Sequence, residues 1–285
     1  MVLIEVVHFL YDVIRLDEKL LIREFDNLRM NYRLINAEKL TFEFPNSNDM
    51  GIAFIRTVSQ HRTQMLSQLY EAIGGKSINP AMSILIGNNK AVTLAILSRL
   101  GVPIPNSVVA LSSKIAIRSL DRIGVPAVIK PVHGSWGRLV SLVGSSDDMD
   151  LLIRHRNSME NPQYGTYLLQ EFVKKPGRDI RVTVVGDRAV AAIYRYVVGD
   201  DWRTNTARGG KAEAVRIDPE LEDISVKATK AIGAYYAGVD VVESDGGYKV
   251  LEVNTVPEFK NVQRVTGVNV ARHIAELVLD MARRG

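Results

Sequence analysis

Hydrophobic and polar positions along this chain switch repeatedly between a period of two and a period near 3.6, so strands and helices alternate from the first residues on. An apolar strand over Val2–Leu10 leads to Asp17-Glu18, which open an amphipathic helix running to about Met30. A second strand, Tyr32–Asn36, follows. A further strand, Gly51–Val58, runs into Ser59-Gln60-His61-Arg62 and a helix that ends at Gly74-Gly75. Such alternation predicts a parallel, Rossmann-like layer over residues 1–85. It lacks the Gly-x-Gly-x-x-Gly loop of dinucleotide sites, so no cofactor is assigned to it. His61 and Arg62 fall where a strand becomes a helix, at an edge where ligands are often met; a helix-capping surface pair is the equal alternative.

Asn88-Asn89-Lys90 supplies caps for the next helix, which Gly101 and the rigid Pro103-Ile104-Pro105 end. This places a domain boundary near residue 86. A helix around Lys114–Ile123 precedes the strand Val125–Val132, which carries Lys130 in an otherwise apolar run. A buried lysine is costly without an anion beside it, so Lys130 is a candidate phosphate contact. His133-Gly134-Ser135-Trp136-Gly137-Arg138 follows, with glycines that let backbone N–H groups turn toward a phosphate, although the Gly-Lys-Ser/Thr ending of a Walker loop is missing. With the strand Leu139–Val143 it describes a flap over a nucleotide. The strand Tyr167–Val173 then precedes a hairpin of Arg178–Val185 and Ala189–Tyr196, which carries Arg181 and Arg195 in mostly apolar surroundings, where guanidinium groups pair with carboxylates or phosphates. The final helix, about Asn269–Ala282, shows helical spacing of Val270, Ile274, Leu277, Val278 and Met281 and is read as core packing.

The most informative stretch is 239–261. Two β-branched runs, 239–242 and 248–253, flank Ser-Asp-Gly-Gly, the composition of a hairpin turn. Alternation then puts Glu252 and Asn254 on one face and Val253 in the core, and antiparallel pairing brings Asp240 to the face of Glu252. Two carboxylates and an amide oxygen form a hard ligand set suited to Mg²⁺ shared with nucleotide phosphates. A solvated hairpin edge with ordinary charges is the competing reading.

Composition narrows the field further. The 285 residues suffice for two or three packed units, and 46% hydrophobic with 24% charged residues is the profile of a soluble globular protein. No apolar run reaches the roughly 18–20 residues of a bilayer span, and no signal peptide is read, so a cytoplasmic location is expected. The absence of Cys removes thiol and Cys-zinc chemistry, and the five His residues have no ligand spacing. Net charge is +4 with basic residues dispersed, which favours acidic partners and argues against a nucleic-acid footprint.

The succession Lys90, Ile129-Lys130-Pro131, Gly134-Ser135-Trp136-Gly137-Arg138, Gln170-Glu171-Phe172-Val173, Gly177-Arg178-Asp179-Ile180-Arg181, Arg203-Thr204-Asn205, Arg208-Gly209-Gly210, Asp240 and Glu252-Val253-Asn254 resembles the ATP-grasp superfamily, in its RimK-like branch. The likeness runs in order over about residues 85–275. It is narrower still toward the LysX/ArgX ligases, which attach 2-aminoadipate or glutamate to the small acidic carrier protein LysW. Trp202–Ala207, Pro257-Glu258-Phe259-Lys260-Asn261, Tyr11–Arg15 and Val58–Arg62 carry that closer match.

The resemblance implies an ATP-grasp fold, mixed α/β and α+β, with an N-terminal pre-ATP-grasp domain (1–85), a central subdomain with the flap (86–173) and a C-terminal subdomain with the metal site (174–285). It implies that Lys90 and Lys130 contact ATP phosphates beneath a flap containing Gly134, Ser135, Trp136 and Gly137. Glu171 and Val173 would hold adenine and ribose. Asp240, Glu252 and Asn254 would ligate two Mg²⁺ ions, and Arg181 would neutralise the transferred phosphoryl group. Arg195, Asn205, Thr206 and Glu258 would face the incoming amino acid. RimK-type glutamate ligases carry Asn-x-x-Pro-Gly where this chain has Asn254-Thr255-Val256-Pro257-Glu258, a departure at the acceptor pocket that favours the carrier-protein branch. A homo-oligomer, dimer or tetramer, is implied as well. Glutamate and 2-aminoadipate are left undistinguished. A RimK-like ligase acting on another protein's C-terminus and a non-catalytic nucleotide-binding scaffold are the rival readings.

Overall fold

In the computed structural model, which describes residues 5–44, 51–134, 137–197, 202 and 211–284, three sheets are laid out in chain order. The first contains β1 (Val7–Tyr11), β2 (Tyr32–Asn36), β3 (Ile52–Ile55) and β4 (Lys76–Ile78), with α1 (Leu16–Asn27) and α2 (Gln60–Ala72) between them. Strand order is β2-β1-β3-β4 and every pairing is parallel, the expected Rossmann-like layer. Its switch point lies between β1 and β3, so the loops leaving those two strands open a crevice. Helices α3 (Ala81–Gly87) and α4 (Lys90–Arg99) lead out of this unit, with Asn89 capping α4 by accepting from Val92 N–H.

The second sheet has order β5-β8-β6-β7 and is antiparallel throughout, from β5 (Ser107–Ala110), β6 (Ala127–Pro131), β7 (Ser141–Val143) and β8 (Tyr167–Glu171). Helices α5 (Ser113–Arg118), α6 (Leu120–Ile123) and α7 (Ser146–Asn157) cover one face, burying Ala127, Ile129, Tyr167 and Leu169. The helix expected over 114–123 is thus broken in two: Ser119 Oγ donates back to Ile115 O at 2.8 Å, a side-chain bond that competes with the helix. The strand expected from Leu139 starts only at Ser141, because residues 137–139 turn, with Leu139 at φ +57° and its carbonyl accepting from Arg156 Nη2 at 2.6 Å.

The third sheet, β11-β10-β9-β12-β13, holds β9 (Arg178–Val185), β10 (Arg188–Tyr196), β11 (Ala212–Ala214), β12 (Tyr236–Ser244) and β13 (Gly247–Asn254), with α8 (Pro219–Ala231) before the last hairpin. Alternation divides its faces. Ile180, Val182, Val184, Val239, Val241 and Val253 bury one face against α8. On the opposite face Ala191, Ile193 and Tyr236 join Phe9, Phe25 and Phe54 of the first unit, with α9 (Lys260–Thr266) and α10 (Val270–Arg284) packed into the same core. The helix read as core packing therefore seals the first unit to the third. Asn79 fastens the same seam: buried, it donates to Tyr236 O and Thr255 O and accepts from Tyr235 and Tyr236 N–H, at 2.7–3.1 Å. Among the described residues, no single helix is long and apolar enough to cross a membrane.

Candidate active site between the second and third sheets

The mixed face of the third sheet carries the chemistry. In the 236–254 hairpin Asp240 stands directly opposite Glu252 and Gly238 opposite Asn254, with Val253 buried behind them, as alternation requires. Asp240 also faces Arg181 on β9, and Asp179 faces Arg195 on β10. One sheet face thus gathers Arg195, Asp179, Arg181, Asp240, Glu252 and Asn254.

The pairings within this strip are specific. Arg181 clamps Asp240 with Nε and Nη2, the latter at 2.9 Å from Oδ2, and Arg195 Nη2 adds a contact to Oδ1 at 3.1 Å. Arg195 is itself held bidentately by Asp179, at 2.7 and 2.9 Å. Burial alone would raise the Asp240 pKa, but the two guanidiniums outweigh it and hold the carboxyl below the usual range. The three guanidinium contacts leave Oδ2 one acceptor position, since a carboxylate offers about four in all. Asn254 donates Nδ2–H to Gly238 O at 3.3 Å, which leaves its amide oxygen to ligate.

The second sheet supplies the facing lysines. Lys130 lies on the face of β6 away from its helices and donates to Gln170 Oε1 on β8. Burial pushes its ammonium down to about 8, opposed by the pull of Glu252 and reinforced by Lys90 and Lys175. Lys90, the first residue of α4, donates to Gly134 O and pairs with Glu252 at 3.5 Å. It therefore ties Gly134 to the 236–254 hairpin. Gly134 (φ +126°) and Gly137 (φ +66°) both have positive φ, a conformation that glycine adopts without steric cost. Glu171 closes the other end, bonded to Asn106 Nδ2 at 2.7 Å and to Lys249 Nζ at 2.5 Å, with burial offset by these partners so that its pKa falls. Val173 follows just beyond β8, and Phe172 meets the Trp202 ring edge-on at 5.8 Å.

Glu258 sits apart from this strip, at the seam with the first unit, 2.7 Å from Arg15 Nη1. Ser135, Trp136, Asn205 and Thr206 lie outside the described residues. Three participants were assigned no role from the sequence, although Asp179 lies inside the Gly177–Arg181 motif. Asp179 orients Arg195, and Lys175 lies near enough to Asp179 and Asp240 that their charges oppose the lowering of its pKa by burial. Gly238 is needed because a Cβ there would lie 2.8 Å from Pro257 Cβ and 3.0 Å from Arg181 Nη1.

The donor set fits magnesium by its chemistry: two carboxylates and one amide, all oxygen, opposite two lysines. Among the described residues no group of three or more His, Cys, Asp or Glu side chains is placed to hold a metal ion, so the set offers two carboxylates and an amide only. An open set of this kind suits an ion that takes its remaining ligands from phosphates and water.

A nucleotide cleft between an antiparallel sheet with a glycine flap and a second sheet bearing carboxylates is the ATP-grasp arrangement, and the chain belongs to that family: residues 87–278 match the RimK-like ATP-grasp domain. Residues 7–86 match the LysX preATP-grasp domain. The chain is 37% identical to the alpha-aminoadipate–LysW ligase LysX of Sulfurisphaera tokodaii, over 96% of this chain and 98% of that protein. It is 34% identical to the glutamate–LysW ligase ArgX of the same organism, over 94% and 95% of the two chains. Its fold matches the RimK domain ATP-grasp protein of Sphaerobacter thermophilus with a TM-score of 0.75 at 24% identity, over 96% of this chain and 99% of that one. The protein is an ATP-dependent, amide-forming ligase, and use of ATP with Mg²⁺ belongs to the family.

Proposed function

We propose that this ligase joins the amino group of 2-aminoadipate, glutamate or both to the side-chain carboxylate of the C-terminal Glu of a LysW-like acidic carrier protein, in lysine or arginine biosynthesis in the cytoplasm. The observation that carries the chemistry is the opposition of Lys90 and Lys130 to Asp240, Glu252 and Asn254 across one cleft. Likeness to both LysX and ArgX supports the carrier and the pair of amino acids.

A carboxylate is a poor electrophile, so it is activated first. An oxygen of the carrier carboxylate attacks the γ-phosphorus of ATP, the bond to the β-phosphate oxygen breaks, and ADP leaves an acyl phosphate. The free amine of the amino acid then attacks the acyl carbon. Phosphate departs, the nitrogen loses its extra proton and the amide remains. Magnesium, as two ions held by Asp240, Glu252 and Asn254, would offset charge on the polyphosphate. Lys90 and Lys130 hold the phosphates, Arg181 presents its guanidinium to the transferring group, and Glu171 with Val173 holds adenosine. Arg195, Asn205, Thr206 and Glu258 face the amino acid. The flap at Gly134, Ser135, Trp136 and Gly137 keeps water from the acyl phosphate. A homo-oligomer, dimer or tetramer, completes the reading, supported by exposed Val109 on the edge strand β5 and Leu111 just beyond it.

The test is phosphate release with purified carrier and each amino acid in turn. Turnover is expected only when ATP, carrier and amino acid are all present. Full activity without carrier would overturn the assignment.

A further inference from the structure

The loops leaving β1 and β3 at the switch point of the first sheet carry Arg15 and Arg56, and both reach the segment 257–260 that follows the metal strand. Arg56 is fully buried, bonded to Glu18 at 3.2 Å and to Pro257 O at 3.1 Å. Asp17, also buried, accepts from the N–H groups of Phe259 and Lys260 at 2.6 and 2.9 Å. The first unit therefore fixes this segment from below. Pro257 in turn closes on Gly238 beside Arg181 Nη1, so the segment borders the catalytic strip.

Within this frame Arg15 is oriented but only partly committed. Its Nε and Nη2 bind Glu18 at 3.0 and 3.1 Å, and Glu18 is pinned by Arg56. Its Nη1 points to Glu258 Oε1 at 2.7 Å. The two acids differ sharply: the Glu18 side chain is fully buried, whereas that of Glu258 is 40% exposed. Glu258 also has a second cation, Lys260 Nζ at 3.6 Å from Oε2, so it can release Arg15 without losing every partner. A carboxylate arriving from the cleft can then take the vacated edge, and the bidentate grip of Glu18 keeps the guanidinium aimed.

We propose that Arg15 receives the side-chain carboxylate of the incoming amino acid, and that Glu258 is its resident stand-in, displaced when substrate binds. This rests on the reading that a dicarboxylic amino acid is the nucleophile. Arg15 is thereby the residue that separates acidic from neutral amino acids. The exposed Glu258 sets how readily the site opens, because each binding event trades one carboxylate for another.

Steady-state kinetics and calorimetric titration of the nucleotide-loaded enzyme, with glutamate, 2-aminoadipate and the uncharged isostere glutamine, test this. Arg15→Gln is expected to raise the amino-acid KM about tenfold or more with kcat within about threefold. Its preference for glutamate over glutamine should fall by about the same factor, with the KM values for carrier and ATP unchanged. Glu258→Gln should act oppositely, lowering the KM for the acidic amino acids about threefold, because Arg15 then has no resident carboxylate. A purely structural pair would shift both variants in one direction. Three results would overturn the proposal: equal losses for glutamate and glutamine, a shift in the carrier KM instead of the amino-acid KM, or a Glu258→Gln variant that binds acidic amino acids more weakly. Should Arg15→Gln not fold, Arg15→Lys and Glu258→Gln carry the same comparison, since a lysine keeps the charge but loses the fork. Wild-type enzyme that binds the amino acids but never transfers them to the carrier would refute the carrier assignment and leave the Arg15 result standing.

Discussion

Lys90 Nζ stands 3.5 Å from Glu252 Oε1, an ion pair that joins the start of α4 to the strand β13 while the same ammonium holds the carbonyl of Gly134. The pair gives each charge a partner within the chain. On the proposed reading, phosphate takes the lysine and a metal ion the carboxylate.

Glu252→Gln removes one proposed charged ligand at a partly exposed position, and with it the carboxylate that faces Lys90 and Lys130. Phosphate release should fall by about a hundredfold or more, while the fold persists with a stability loss of about 1–3 kcal/mol. Circular dichroism and phosphate assays on one preparation decide this. Near-normal turnover would take Glu252 out of the site.

At Gly238 no side chain fits. The nearest obstacles to a Cβ, Pro257 Cβ and Arg181 Nη1, cannot yield freely: the proline carbonyl is tied to Arg56, and Arg181 is clamped on Asp240. Gly238→Ala is therefore expected to cost about 1–3 kcal/mol of stability and to displace Arg181, lowering kcat about tenfold or more. Denaturant unfolding and kinetics check the two parts separately. Wild-type kcat in a folded variant would show that Arg181 has room to spare.

Asn79 gives a prediction about the seam alone. Asn79→Ala strands two buried carbonyls and two N–H groups, those of Tyr235, Tyr236 and Thr255, so stability should fall by about 3 kcal/mol or more. Asn79→Asp should be at least as damaging, because it turns an acceptor toward Tyr236 O and Thr255 O. A shift in the denaturant midpoint is the readout, and an unchanged midpoint for both would mean that the seam is held by α10 packing.

The parts of this site that were legible in the sequence are those that local periodicity encodes. The turn at 244–247 sets the register as far as Val241 opposite Val250, which local composition encodes. A β-bulge between Asp240 and Val241 then shifts the pairing by one residue and brings Glu252, not Leu251, opposite Asp240, a step that the turn alone does not give. Lys130 was legible because a charge interrupts an apolar strand. What stayed hidden depends on distant chain segments meeting. Arg15 and Glu258 are 243 positions apart, and neither local pattern hints at the other. Asp179 lies inside the Gly177–Arg181 motif, but its role in holding Arg195 shows only once β9 and β10 pair the two. Gly238 sits inside a hydrophobic strand, where only the approach of Pro257 explains the missing side chain.

Lys130 carries the pH prediction. Burial holds its folded-state pKa at about 8, below the ordinary lysine value of 10.5, so between these values the unfolded chain binds the additional proton. Wild-type stability without ATP should accordingly gain from Lys130 as pH rises through that window, and Lys130→Met should abolish that gain while leaving stability at neutral pH level or higher. ATP reverses the electrostatics: its phosphates favour the ammonium, so binding near pH 8 should take up protons and weaken as pH rises further. Calorimetric titrations in two buffers of different ionisation enthalpy measure the uptake directly. Lys130→Met is expected to bind ATP more weakly and to lose the proton uptake. An unchanged affinity and an unchanged pH profile in that variant would mean that the lysine serves Gln170 and Glu252 only, and that the phosphates lie elsewhere.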